Sequence, residues 1–533
     1  MKTNLAVRTM SLSAFFMAAW PARSSVSAAA ALTVLLLSVG AQTSAWAQDA
    51  APSVPKPSLW LEPRVSVGVT LSDNGNLSAT NPRSEQLFEV SPGVRLLLNG
   101  PRARGFLDYS LRGLYYAQNT SGDNLRQALN ASGTLNAWDN RAFIDVSGVI
   151  DDQAISAFGP SANDFGDTNR SQTASLRVSP YLKGDLAGWA DYELRYNLET
   201  RSTEANTRAD VTAQALSLAL GSRMQGQTLG WIFNASAQDV DYSPGRATRS
   251  NTLRTGLIVA ITPELRSTLY VGVESNNILT LSRESYNTTG FDVDWRPSAR
   301  TRVFVGLDDR YFGSAHNIAL SHRTGRTVWR YTDTRGVVDS PLQAGQASLG
   351  SIYTLLDNLY ASTVPDPIER ARRINAELLG LGLPPDAQIS QSFLTSSATL
   401  DRVQSLSLAL VGQRTVVTFA LSRSRSNRLQ SVIGLGDDFD NSSRIDQQGW
   451  SVNVGHRLTP ISSLSAAVSR QTSEGSGIGV AQSNRETSFS LGYTTRLAPR
   501  TSGSLQLRRT QYDNSAVNAF SETAITALLT HRF

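Results

Sequence analysis

The 533-residue chain contains no cysteine, which excludes a disulfide framework and a lipid-modified N-terminal cysteine. Lysine is nearly absent as well: it occurs at Lys2, Lys56 and Lys183, and almost every other basic residue is arginine. No apolar run beyond the N-terminal region is long enough to cross a bilayer as a helix, so a helical membrane bundle is excluded. The four histidines, His316, His322, His456 and His531, are too scattered to suggest a metal site. Gly-x-Ser-x-Gly, His-Glu-x-x-His and phosphate-loop motifs are all missing. No catalytic residue, cofactor site or metal ligand is therefore assigned, and the chain is not expected to be an enzyme. A hydrolase built from a serine and His456 on neighbouring strands is the remaining catalytic alternative. Asp437, Asp438 and Asp440 offer hard oxygen ligands, but their spacing lacks the Asp-x-Asp-x-Asp-Gly pattern of calcium loops. They read as a solvated acidic loop.

The formal charge of +5 comes mostly from the N-terminus. Residues 1–47 contain Lys2, Arg8 and Arg23 and no acid, so their removal leaves 46 basic against 44 acidic residues. Such a balance carries no nucleic-acid footprint. The same segment has a basic start, an apolar run from Ala28 to Val39 and the small-x-small triplet Ala45-Trp46-Ala47 before Gln48. This is the layout of a secretory signal cleaved near Ala47, and the apolar run is too short to span a membrane. Residues 48–59 are rich in Ala and Pro and read as a periplasmic linker.

From Trp60 to Phe533, alternation of apolar and polar residues returns every twenty or so positions, the spacing of an antiparallel meander. In Trp189 to Leu198, Ala190, Tyr192, Leu194, Tyr196 and Leu198 share a face opposite Asp191, Glu193, Arg195 and Asn197. Phe291, Val293 and Trp295 oppose Asp292, Asp294 and Arg296, and Leu505 and Leu507 oppose Gln506 and Arg508. A two-sheet sandwich would show the same pattern. The connections separate the two architectures. Short Pro-containing turns at Thr262-Pro263-Glu264, Leu458-Thr459-Pro460 and Ala498-Pro499-Arg500 alternate with long polar loops such as Asp151 to Thr168, Ser424 to Arg444 and Gln471 to Arg485. Short turns at one rim and long loops at the other are the habit of outer-membrane barrels. The expected fold is thus all-β, a transmembrane antiparallel up-and-down β-barrel over residues 60–533 with about 22 strands, within about 16 to 24. Gly313 to His322 and Gln227 to Gln238 alternate weakly and read as strand or loop. Trp138, Trp189, Trp295, Trp329 and Trp450 fall near expected strand ends, where an aromatic girdle would sit.

Residues 335–391 break the pattern. Ser351 to Tyr360 and Asp366 to Leu383 read as helices, the second with Asp366 as N-cap and Pro367 at its first position. This partly helical loop lies on the outer side by rim parity, either folded into the lumen or capping the mouth, so an open and a plugged lumen both stay possible. Lumen-lining candidates mix both charges: Asp191, Glu193, Arg195, Asp292, Asp294, Arg296, Arg302, Arg457, Arg496 and Arg508. Such a wall suits a polar polymer or small solutes and predicts no charge selectivity.

The last strand, Ala519 to Phe533, places Ile525, Ala527, Leu529 and His531 on one face and ends on phenylalanine. It resembles the C-terminal strand that the barrel assembly machinery of Gram-negative bacteria reads. The opening strands, Trp60 to Val67, then Leu71-Ser72-Asp73-Asn74 and Leu77, then Phe88 to Arg95, together with Pro365-Asp366-Pro367 and Arg370, resemble the outer-membrane β-barrel proteins associated with the PEP-CTERM/exosortase system. That resemblance implies an outer-membrane location and a part in export or assembly of extracellular polysaccharide. Expected partners are outer-membrane lipid and lipopolysaccharide, the assembly machinery, and polysaccharide with other export components. A structural or surface-binding barrel without conduction, and a general diffusion porin, are the alternatives.

Overall fold

The computed structural model describes residues 58–118, 124–160, 165, 169–204, 210–224, 226–339, 360, 370, 373–374, 393–429, 436–477, 481–515 and 519–533. The expected signal peptide and nearly all of the 48–59 linker and of the two expected helices lie outside the described residues.

Twenty-two strands follow in chain order. The first eleven are β1 (Ser58–Ser72), β2 (Glu85–Asn99), β3 (Ala103–Tyr116), β4 (Asn124–Trp138), β5 (Ala142–Ala154), β6 (Arg170–Leu186), β7 (Ala190–Thr203), β8 (Asp210–Ser222), β9 (Leu229–Ser243), β10 (Thr248–Thr262) and β11 (Leu265–Asn276). The rest are β12 (Glu284–Ser298), β13 (Thr301–Arg310), β14 (Gly313–Arg323), β15 (Thr327–Val338), β16 (Thr399–Val411), β17 (Thr415–Arg428), β18 (Arg444–Thr459), β19 (Ser462–Ser476), β20 (Gln482–Ala498), β21 (Thr501–Asn514) and β22 (Phe520–Arg532). Each strand pairs antiparallel with its chain neighbours in a single 22-stranded sheet. β1 also pairs with β22, from Arg64↔Arg532 to Ser72↔Ala524, so the ring closes and leaves no unpaired edge for hydrocarbon.

The closing seam shows how the sequence sorts its two faces. Outside, Val67, Val69 and Leu71 lie across from Leu529, Ala527 and Ile525. Inside, Ser66 and Thr530 share a hydroxyl hydrogen bond of 2.9 Å, as do Thr70 and Thr526. His531, an awkward residue for a lipid-facing position, is held by Thr501 at 2.9 Å and packs edge-on against Phe533. The same arrangement recurs twice: His322 meets Thr301 and His456 meets Thr415, each at 2.8 Å, at the same rim. A ring nitrogen that would lack a partner at the edge of the apolar band is satisfied by the first threonine of the paired strand.

Odd-to-even connections form the long-loop rim and even-to-odd connections the short-turn rim, which also holds the start of β1 and the end of β22. Several short turns share one design. The register shifts between Ala260/Thr262, Trp295/Ser298, Arg457/Thr459 and Arg496/Ala498. In the first three a hydroxyl, of Thr262, Ser298 or Thr459, then accepts from turn amides, as Thr262 does from Glu264 N and Leu265 N; the fourth has Ala498 at that position. Trp138, Trp189, Trp295 and Trp329 stand at this rim and are exposed. Trp450 departs from the expectation: it lies in mid-strand, half-buried, at the other edge of the apolar belt.

Spanning a bilayer needs about 9–11 tilted residues. The strands run from 10 to 17, so several continue past the membrane on the long-loop side. This corrects three expected loops: pairing reaches Ala154 in β5, Arg428 in β17 and Ser476 in β19, and resumes at Gln482 in β20. Outside the membrane both faces are wet, so alternation stops although the ladder does not. The weakly alternating stretches are strands, β9 and β14. β15 runs to Val338, so the long connection is residues 339–398 and does not begin at Arg335.

Candidate conduit and its outer closure

The inner face is polar and crossed by ion pairs, which satisfy charges that a narrow water-filled space would otherwise leave costly. On β7, Glu193 accepts from Arg195 at 2.8 Å, and Arg195 also reaches Asp145 of β5 at 3.0 Å. The Arg195 guanidinium lies 3.8 Å from the centre of the Tyr181 ring. Tyr181 stacks on Phe143 at 5.1 Å, and the Lys183 ammonium covers Phe143 at 4.5 Å. Asp191 sits nearer the short-turn rim, bound by Arg223 at 2.6 Å. On β12 and β13, Asp294 accepts from Arg296 at 2.9 Å and from Arg302 at 3.0 Å. Asp292 stands opposite Gly306, where a Cβ would come within 2.6 Å of its carboxylate. Arg508 of β21 reaches the fully buried Glu522 at 3.2 Å. Arg457 and Arg496 occupy the short-turn ends of β18 and β20, away from these groups.

Of the ten candidates, then, the fold brings together Glu193 with Arg195, and Asp294 with Arg296 and Arg302. The others stand apart around the ring. Two further pairings belong to the same wall: Arg310 with Glu274 at 3.0 Å, and Arg254 with Asp308 at 3.6 Å. Inward residues are exposed along β4 and β9, at Asn130, Ser132, Thr134, Asn234 and Ser236. Along β16 to β19 the inner face is buried, at Ser407, Thr418, Ser422, Ser451 and Ser473. The accessible lining is therefore lopsided.

At the long-loop rim, three loops meet inside the barrel, two rooted in the paired strands β16 and β17 and one in β5. The β5–β6 loop crosses to the inner faces of β18 to β21. There Asn484 donates to the carbonyls of Ala157 and Gly159 at 3.2 Å each, Asn514 donates to the Phe158 carbonyl at 2.8 Å, and the Tyr512 hydroxyl donates to the same oxygen. The segment preceding β16 pairs with the end of β5 through Leu394 N and Ala154 O at 3.0 Å, and its Thr395 carbonyl accepts from Arg201 of β7 at 3.2 Å.

The β17–β18 loop fastens both. Asp438 accepts from the Ala157 amide at 2.6 Å. Asp437 accepts from the Ser396 amide at 3.0 Å and the Thr395 hydroxyl at 3.3 Å, and caps its own short helical turn through Phe439 N at 3.1 Å. Ala157, Phe158, Phe439 and Ile445 pack into one buried cluster around this point, with Phe393 against it. Phe165 fills a second cluster with Leu87, Leu114, Tyr116 and Ala524.

The solvated acidic loop expected at Asp437, Asp438 and Asp440 is thus corrected: Asp437 and Asp438 are buried, and they spend their oxygens on backbone amides of two other loops. A signal for this was present in the sequence. Phe158, Phe165, Phe393 and Phe439 each stand in a polar loop, and large aromatics so placed need an interior to enter.

At the foot of the long connection, Asp339 accepts from Gln238 of β9 at 3.1 Å, and its carbonyl accepts from the Tyr242 hydroxyl at 2.7 Å. Burial pushes the Asp339 carboxyl above its ordinary value, against the opposing pull of the Gln238 hydrogen bond.

A closed antiparallel ring of 22 strands, short turns at one rim, long loops at the other, apolar outside and charged within, is the architecture of the large β-barrels of the bacterial outer membrane. The FrpB iron transporter of Neisseria meningitidis, in its apoprotein form, is similar in fold: TM-score 0.50 at 10% identity, over 89% of this chain and 81% of that one. The ferric enterobactin receptor PfeA of Pseudomonas aeruginosa aligns at a TM-score of 0.40 and 9% identity, over 89% and 80%. At these identities the likeness is one of fold. No protein-family model matches the sequence, and no curated protein does.

Proposed function

We propose that this outer-membrane barrel is a gated conduit for an extracellular polysaccharide, with its own loops as the gate. The observation that carries the reading is the latch. Two buried carboxylates on one loop hold two other loops together across the lumen, above a polar wall that is water-exposed along β4 and β9. A wall of paired charges and small hydroxyls offers a hydrated polymer hydrogen bonds without a deep trap. A latch made of a few hydrogen bonds can be released and remade.

The polymer class comes from the resemblance of the first strands to exosortase-associated barrels. Lipid, the assembly machinery and polysaccharide are the partners this reading implies, and it assigns the chain no catalysis. A second reading, uptake of an iron chelate, draws on the fold shared with FrpB.

Two measurements test the proposal. Purified barrel in a planar bilayer should be mostly closed, with long open events in the Asp437→Ala/Asp438→Ala variant; a variant as closed as the parent would overturn the gate. Deletion of the gene should abolish secreted polymer and leave growth on chelated iron unchanged. The opposite pair of results would favour the second reading.

A further inference from the structure

The outside of the barrel is not uniform around its circumference. Just beyond the apolar belt on the long-loop side, β15 to β21 carry arginine on the outward face: Arg335, Arg402, Arg423, Arg470, Arg485 and Arg509. Their orientation follows from parity with exposed apolar residues on the same strands, Leu410, Leu421, Phe489 and Leu507. Arg402 is engaged by Asp333 at 2.7 Å. Arg423, Arg470, Arg485 and Arg509 are exposed and make no ion pair among the described residues. The register sets them along one band: Arg423 is across from Gln448, Arg470 from Trp450 and Thr487, and Arg509 from Phe489. With neighbouring strands about 4.8 Å apart, Arg423, Arg470 and Arg509, on alternate strands, stand about 10 Å from one to the next.

On the opposite half, the corresponding outward positions carry Asp239, Asp241 and Asp309, with Arg249 paired to Asp239 at 3.2 Å. The arginine facet carries outward acids too: Asp446, bound by Arg425 at 2.9 Å, Glu474, and Asp513 across from Arg485. Arg423, Arg470 and Arg509 have no acid among their register partners. The height of these three is the membrane interface, marked by Trp450 and Phe489, the register partners of Arg470 and Arg509.

We propose that the facet from β17 to β21 is a docking site for the phosphates of an outer-leaflet glycolipid of the lipid A kind. The acyl chains would lie on the apolar belt and the phosphorylated sugars against the arginine band. Guanidinium groups match phosphate bidentately, and they are weakly hydrated enough to hold it at an interface. A free anion would meet the same arginines but gain nothing from the belt below. The proposal rests on the barrel's place in an outer membrane and is independent of what the lumen carries.

The test uses the full mature chain, folded in detergent, delipidated and incubated with bisphosphorylated lipid A, its dephosphorylated form, phosphatidylglycerol or inorganic phosphate. Bound ligand is read by native mass spectrometry. Bisphosphorylated lipid A should be retained, and retention should fall more than about tenfold in R423Q/R470Q/R509Q. It should be unchanged in D239N/D241N on the other facet. Equal retention by the arginine variant, equal retention of dephosphorylated lipid or of phosphatidylglycerol, or capture of inorganic phosphate as strong as that of the glycolipid would each overturn the proposal. These side chains are exposed and outside any core, so the variants should fold, which unchanged heat-resistant gel migration would verify. Should the triple variant fail that check, the single R470E gives the same readout.

Discussion

Removing the two latch carboxylates is the sharpest perturbation the structure offers. Asp438 accepts from the Ala157 amide of the β5–β6 loop, and Asp437 holds the segment before β16 by an amide and a hydroxyl. A hydrogen bond to a charged acceptor contributes roughly 1.5–3 kcal/mol. Asp438→Ala should thus weaken closure by about 2 kcal/mol, about thirtyfold in the closed-to-open ratio. The double alanine variant should cost about 5 kcal/mol, roughly five-thousandfold. The Asp437→Asn/Asp438→Asn variant keeps a carbonyl acceptor at each position without the charge, so it should fall between. Open dwell time in a planar bilayer is the assay, with strand circular dichroism and heat-resistant migration as controls for folding. If the double alanine variant is folded and gates like the parent, the latch is not what keeps the loops together.

Gly475→Val should reach the same open state by another route, because its new Cβ would come within 2.7 Å of Phe158 and 2.5 Å of Ser442; Gly336→Val, with open space around it, should leave conductance alone. Leu491→Arg, in the apolar belt of β20, should cost about 2–4 kcal/mol and reduce the heat-resistant fraction on gels, whereas Ser490→Arg, facing the lumen, should be tolerated. Asp339 has a folded pKa above its unfolded one, so its contribution to stability is complete below the ordinary carboxylate range and lost as pH rises through the raised value. Asp339→Asn should therefore flatten the pH dependence of thermal unfolding and raise the melting temperature at neutral pH, as followed by tryptophan fluorescence; an unaltered pH profile would count against the assignment.

The barrel was legible in the sequence because lipid on one side and water on the other impose a period of two on every membrane-crossing strand. Alternating runs such as Tyr192-Glu193-Leu194-Arg195 and Phe291-Asp292-Val293-Asp294 therefore announce both the strand and its inner face. Legibility ends where that contrast ends. The stretch Gln471 to Arg485 reads as a loop, yet it contains the end of β19 and the start of β20, wet on both faces. The latch was hidden for a different reason: Ala157 and Asp438 are 281 positions apart, and nothing in either polar loop points to the other as its partner. The histidines, too scattered to suggest a metal site, share a structural role at the rim in three cases out of four, because strand register sets His322, His456 and His531 beside a threonine.

The bridging loops have a mechanical consequence as well. They are rooted in β5, β16 and β17, and they grip β7 on one side of the ring and β20 and β21 on the other. Such members act as spokes. A thin cylinder with spokes at one end resists flattening there and remains compliant at the other, so undoing Asp437 and Asp438 would also let the outer mouth change from round to oval.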